Sequence, residues 1–137
     1  MIVYVDVVCD LFHAGHVNFL KQIKAKYPHC ILIVGLMSDS QAAAYKRVPI
    51  FDIDERFSIL SSNRYVDKVI KNAEMPITAD FAQLHEIDLV MHGSDISTDD
   101  ENYWYGEMKY LNKYETLPYS AITSTSEIIS KIQRMGL

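Results

Sequence analysis

Short apolar runs without polar alternation recur along the 137-residue chain, and helical patterns separate them. This alternation constrains the fold more than any other feature. A strand with water on one face alternates polar and apolar residues, whereas a strand covered on both faces does not. Residues 2–8 and 30–36 are the longest such runs, and residues 65–70, 88–92 and 114–117 are shorter ones. Between them, residues 16–26 place Val17, Leu20 and Ile23 at helical spacing. Asp52-Ile53-Asp54-Glu55 is a capping-box start for a helix carrying Phe57, Ile59 and Leu60. Residues 78–86 and 104–111 are predicted as helices, the stretch with Lys46, Arg47 and Pro49 as a loop, and Asp99-Asp100-Glu101 as a solvated acidic loop. Ser124-Thr125-Ser126-Glu127 is a second capping box, opening a helix with Ile128, Ile132 and Met135 on one face. The order predicts a doubly wound α/β domain spanning residues 1–137, with a mainly parallel, five-stranded sheet.

The net charge of −5 argues against a general nucleic-acid binder, which needs a basic surface to neutralise phosphates. A local basic pocket for one small anion is compatible with it. Cys9 and Cys30 lie in or beside apolar runs without C-x-x-C spacing, so they read as reduced core residues of an intracellular protein. No apolar run reaches membrane-spanning length and no signal peptide is visible. A cytoplasmic protein with no intrinsic membrane segment is expected.

Sheets of this kind bind ligands beyond the carboxyl ends of their strands. Four polar clusters fall there: His13 and His16 after the first strand, Ser38 and Asp39 after the second, His92-Gly93-Ser94-Asp95 after the fourth, and residues 123–126 after the fifth. In Asp10-Leu11-Phe12-His13-Ala14-Gly15-His16 the two histidines share one face of a helix's first turn. Free backbone N–H groups and the positive dipole end lie beside them, which suits a phosphate. Gly15 leaves room for the backbone to approach a ligand. Each of these residues also has a plainer reading. The histidines can cap the helix, Lys46 can be a solvated loop lysine, His92 a core histidine, and Trp104 and Tyr105 core or interface residues.

The ordered set resembles the cytidylyltransferase family of the H-x-G-H nucleotidyltransferase superfamily, and within it the phosphocholine and phosphoethanolamine branch. The resemblance rests on Tyr4-Val5-Asp6, Cys9 to His16, Ile33-Val34-Gly35-Leu36-Met37-Ser38-Asp39, Lys46, Asp54-Glu55-Arg56, Arg64-Tyr65-Val66-Asp67-Lys68-Val69-Ile70, His92-Gly93-Ser94-Asp95 and Thr123-Ser124-Thr125-Ser126. It implies a Rossmann-like nucleotidyltransferase fold. It also implies a reaction in which CTP and a phosphorylated small alcohol give a CDP-alcohol and pyrophosphate, for phospholipid head-group synthesis. Mg²⁺ is implied on the triphosphate, with no metal site made by the protein's own side chains. By resemblance, His13, His16 and Lys46 are catalytic. Val8, Cys9, Asp10, Asp39, Arg56, His92, Asp95, Tyr119, Ser120, Thr123, Ser124 and Thr125 form the nucleotide site. Arg64-Tyr65-Val66-Asp67 matches a dimer-interface segment, so a homodimer is implied.

Relatives have glycine where Val7 and Ile122 stand, an aromatic residue at Cys9 and at Met75, and at Tyr119 an arginine that grips the triphosphate. Arg47, directly after Lys46, is a candidate to stand in for that arginine. His-Gly-Ser-Asp is closer to the ethanolamine-type motif, which favours phosphoethanolamine over phosphocholine. Neither the second catalytic domain of ethanolamine-type relatives nor the amphipathic tail of choline-type relatives is expected. The departures also motivate an alternative, a catalytically impaired paralogue that binds CTP or CMP as a sensor or partner.

Overall fold

The computed structural model describes residues 1–118 and 123–137. Five strands form one all-parallel sheet: β1 (Ile2–Val7), β2 (Ile31–Leu36), β3 (Lys68–Lys71), β4 (Leu89–Gly93) and β5 (Tyr114–Leu117), in the spatial order β3-β2-β1-β4-β5. Helices α1 (Ala14–Lys26), α2 (Asp39–Tyr45), α3 (Ile53–Ser61), α4 (Ala79–Leu84), α5 (Thr98–Tyr110) and α6 (Thr125–Arg134) connect or follow the strands. The chain winds from β1 outward to β3, then crosses back to β4 on the other side of β1. That reversal leaves a crevice at the carboxyl ends of β1 and β4.

Strand side chains alternate between two apolar layers, and this is why the runs lack polar alternation. Val3, Val5, Leu32, Val34, Leu36 and Met91 pack with Leu20 and Ile23 of α1 and Leu60 of α3. Tyr4, Ile33 and Val90 pack on the opposite face with Phe81 of α4 and Tyr105 and Met108 of α5. Gly35 of β2 lies under the Tyr4 ring, where a Cβ would strike the phenol. The fully buried Tyr4 hydroxyl has no hydrogen-bond partner among the described residues.

Three elements differ from the sequence reading. Helix α2, which ends just before the loop of Lys46, Arg47 and Pro49, has no counterpart in the sequence reading; its Ser38 Oγ accepts from the Gln41 N–H while Gln41 Oε1 accepts from the Ser38 N–H. Helix α5 begins at Thr98 rather than 104 because Ser97 caps it, so Asp99, Asp100 and Glu101 form its acidic first turn. Glu101 is not a solvated loop residue, since it accepts from Lys109 Nζ at 2.9 Å and from the Tyr114 hydroxyl at 3.1 Å. Strand β3 begins at Lys68, because Asn63 holds the residues before it in a turn, its side chain accepting from the Tyr65 N–H and its carbonyl from the Val66 N–H, while the Asp67 carboxylate accepts from the Leu32 N–H of β2 and from Lys24. Helix α6 forms as predicted, but none of its side chains is buried among the described residues. No helix among the described residues is long and apolar enough to cross a membrane.

Candidate functional site

The turn from β1 into α1 is built around Asp10. Its neighbours Cys9 and Leu11 take left-handed backbone angles, φ 54° and 49°, which L side chains rarely adopt. The buried Asp10 carboxylate accepts from the Leu11 N–H at 3.1 Å and, across the fold, from the Ile50 and Phe51 N–H groups at 2.8 Å each. Its carbonyl accepts from the Thr125 hydroxyl at 2.8 Å. One residue therefore ties together the β1–α1 turn, the loop before α3 and the start of α6.

His13 is the N-cap of α1 and His16 its third residue, and each ring accepts a backbone hydrogen bond. Gly15 N–H donates to His13 Nδ1 at 3.0 Å and His13 N–H donates to His16 Nδ1 at 3.2 Å. The rings stack with centroids 3.7 Å apart. With Nδ1 accepting, each neutral imidazole carries its proton on Nε2. Burial holds His16 down at about 4, helped by the neighbouring His13 and opposed by Asp10, and burial lowers His13 too. The capping reading and the ligand reading thus coexist, because capping uses Nδ1 and leaves Nε2–H for something else. His13 Nε2 is buried without a partner among the described residues. Gly15 lines the cavity, and its missing side chain has a packing reason as well. A Cβ there would lie 2.8 Å from His13 Cε1 and 2.9 Å from the Thr123 carbonyl, so the missing side chain admits the His13 ring and the chain before α6.

These groups face a cavity of about 330 Å³ at the carboxyl ends of the strands. Of the expected site residues, His13, His16, Lys46, Val8, Cys9, Asp10, His92, Asp95, Thr123, Ser124 and Thr125 line it. Val7 is the last residue of an extended strand and also lines it, so no special backbone angle there calls for glycine. Tyr119, Ser120 and Ile122 lie outside the described residues.

Asp39 and Arg56 do not line the cavity. Arg56 is wholly buried. Its guanidinium donates to the carbonyls of Phe51 at 3.1 Å and of Val8 and Met37 at 2.9 Å, and to Asp39 Oδ1 at 2.7 Å. It fixes the backbone of Val8 and Met37, two residues that line the cavity.

A second polar group in the wall centres on Asp6, to which the sequence assigns no role. Asp6, buried in β1, accepts the Tyr105 hydroxyl on both oxygens at 2.7 and 2.9 Å. Burial raises its carboxyl above the usual range, against the hydrogen bond from Tyr105. Tyr105 stacks on Tyr114 and lies 5.3 Å from the His92 ring. His92 Nδ1 donates to the Gly93 carbonyl at 2.8 Å, leaving Nε2 as an acceptor when the ring is neutral. Trp104, Met75 and Tyr45 complete this part of the wall. The missed signal was a carboxylate inside an otherwise apolar buried strand.

The cytidylyltransferase-like family model matches residues 8–131. The chain is 35% identical over 136 residues to choline-phosphate cytidylyltransferase A of Rattus norvegicus, covering 96% of this chain and 36% of that protein. It is 37% identical over 134 residues to choline-phosphate cytidylyltransferase of Saccharomyces cerevisiae, covering 96% and 31%. To ethanolamine-phosphate cytidylyltransferase of Mus musculus it is 30% identical over 131 residues, covering 95% and 32%. It spans about a third of the length of these curated relatives. Among solved structures it is similar to a lipopolysaccharide core biosynthesis protein from Thermoplasma volcanium GSS1. That match has TM-score 0.65 and 25% identity, and covers 88% of this chain and 96% of that one.

Proposed function

Because the chain belongs to the cytidylyltransferase-like family, we propose that it transfers CMP from CTP to the phosphate of a small amino alcohol, giving a CDP-alcohol and pyrophosphate. A phosphate oxygen of the alcohol substrate attacks the α-phosphorus of CTP in line. The bond from that phosphorus to the bridging oxygen breaks, and its electron pair leaves on pyrophosphate. Atoms and charge balance without a covalent enzyme intermediate, so the protein's work is positioning and neutralising charge.

The observation that carries this reading is the pair of Nε2–H donors held neutral and fixed on the first turn of α1, one of them buried without a partner among the described residues. A buried orphan donor lining a cavity needs an acceptor from outside. Phosphate oxygens that gain charge as pyrophosphate leaves supply it. Lys46 adds a mobile point charge between the phosphates of the two substrates. The amides at the start of α6 add fixed partial charge for the β- and γ-phosphates. Mg²⁺ would enter with CTP and neutralise the triphosphate.

Asp6, Tyr105, Trp104 and His92 support an amine at the other end of the alcohol substrate. A primary ammonium donates three hydrogen bonds, and the Asp6 oxygens and His92 Nε2 are acceptors in that wall. A quaternary ammonium gains instead from a full aromatic cage, and Met75 breaks the ring set. This favours phosphoethanolamine, although overall identity is higher to the choline-phosphate relatives. Identity over the whole chain weighs the core far more than these few wall residues.

We read residues 1–137 as one catalytic domain of a cytoplasmic homodimer, paired through the segment around Arg64 and Tyr65, whose side chains stack in an exposed cation–π contact. The test is pyrophosphate release from CTP with Mg²⁺ and either phosphoethanolamine or phosphocholine. Release with phosphoethanolamine supports the proposal, and CTP binding without release from either alcohol would replace it with the sensor reading.

A further inference from the structure

Resting on the triphosphate reading above, we propose that Arg47 grips the terminal phosphates of the nucleotide, and that its hydrogen bond to Ser126 is the resting position it leaves to do so. Arg47 is half-buried in the cavity wall. Its Nη1 donates to Ser126 Oγ at 3.1 Å, a link across 79 residues from the loop after α2 to the first turn of α6. Five other cations of the chain, Lys24, Lys26, Arg56, Lys71 and Lys109, each face a carboxylate within ion-pair distance. Arg47 faces none among the described residues. A guanidinium whose side-chain partner among the described residues is a neutral hydroxyl has further N–H donors in a fixed fork that fits phosphate oxygens.

The backbone keeps that fork in place. Arg47 N–H donates to the Ala42 carbonyl at the end of α2. Three residues later the loop is clamped again, where Asp10 accepts from the Ile50 and Phe51 N–H groups. Ser126 is the second residue of α6, and its helix capping runs through Ser124 Oγ and the Glu127 N–H, so the Ser126 hydroxyl is not itself the cap. Exchanging it for a phosphate oxygen replaces a neutral partner with a charged one and leaves the helix capped. The residue therefore reads the charge of a tri- or pyrophosphate and not the monophosphate next to the nucleoside.

The experiment is calorimetric titration of the full chain with CTP, CMP and inorganic pyrophosphate, for the wild type, Arg47→Ala, Arg47→Lys and Ser126→Ala. Arg47→Ala is expected to weaken CTP and pyrophosphate by about tenfold or more and CMP by less than about threefold. Arg47→Lys should recover part of the loss, and Ser126→Ala should leave CTP within about threefold of wild type. Equal weakening of CTP and CMP by Arg47→Ala would overturn the proposal, as would a Ser126→Ala loss as large as that of Arg47→Ala. Either result would make the contact a loop latch. A wild type that binds pyrophosphate but no cytidine nucleotide ends the CTP reading while the pyrophosphate arm still judges Arg47. A wild type that binds neither CTP nor pyrophosphate ends both.

Discussion

A histidine whose Nδ1 accepts a backbone N–H has one neutral tautomer left, with its proton on Nε2. His13 and His16 both sit in that state, and burial keeps them neutral where an isolated imidazole would titrate. His16→Ala should therefore lower kcat by about a hundred- to a thousandfold with little change in fold, as removal of one aimed donor does elsewhere; steady-state pyrophosphate release checks this. Gly15→Ala is the harsher change in structural terms. Its Cβ would press on a ring and on a backbone carbonyl, and the carbonyl cannot rotate away. A loss of about 1–3 kcal/mol is expected, read from urea denaturation, together with reduced turnover because His13 must shift. At this scale the sequence was legible where chemistry and helix spacing coincide, as in the histidine pair. It was opaque where a residue's meaning depends on a distant neighbour. Nothing local says that Gly15 meets Thr123, that Asp6 meets Tyr105, or that Arg56 is spent on the carbonyls of Val8, Met37 and Phe51.

Between elements, the site is held by two buried hubs. Asp10 joins the β1–α1 turn, the loop before α3 and the start of α6, and Arg56 joins the ends of β1 and β2 to α3. Arg56→Met would leave three carbonyls and the Asp39 carboxylate without their shared donor. It should cost about 3 kcal/mol in denaturant unfolding, while the KM of any surviving folded enzyme changes little. Asp10→Ala should do the reverse in emphasis. Releasing the Ile50 and Phe51 amides frees the loop that carries Lys46 and Arg47, so KM for CTP should rise several-fold, by about fivefold or more, in the same assay. Helix α2 is hard to read from the sequence although Ser38 and Gln41 form a capping box before three alanines, because its seven residues run straight into the basic loop that follows. Helix α5 was begun late because its acidic first turn resembles a solvated loop until Ser97 is seen as its cap.

For the whole molecule, the all-parallel sheet and its reversal at β1 and β4 were readable from the unalternating apolar runs, since only a doubly covered sheet tolerates them. The contact of Asp6 with Tyr105 in the cavity wall was not, because it depends on which side chains meet across the fold. One global property follows from the site. The folded chain holds His16 at about 4 against a usual value of 6.5, so between these values the unfolded chain binds more protons. Stability from this histidine is complete above about 6.5 and falls as pH drops toward about 4. The thermal midpoint of the wild type should decline across that window more steeply than that of His16→Gln. The decisive measurement is phosphorus NMR of the purified chain mixed with CTP, Mg²⁺ and phosphoethanolamine. Pyrophosphate and CDP-ethanolamine should appear together in equal amounts, and faster than the corresponding products from phosphocholine. A folded, nucleotide-binding chain that leaves CTP intact with both alcohol phosphates would contradict the reading of this cavity as a catalytic one.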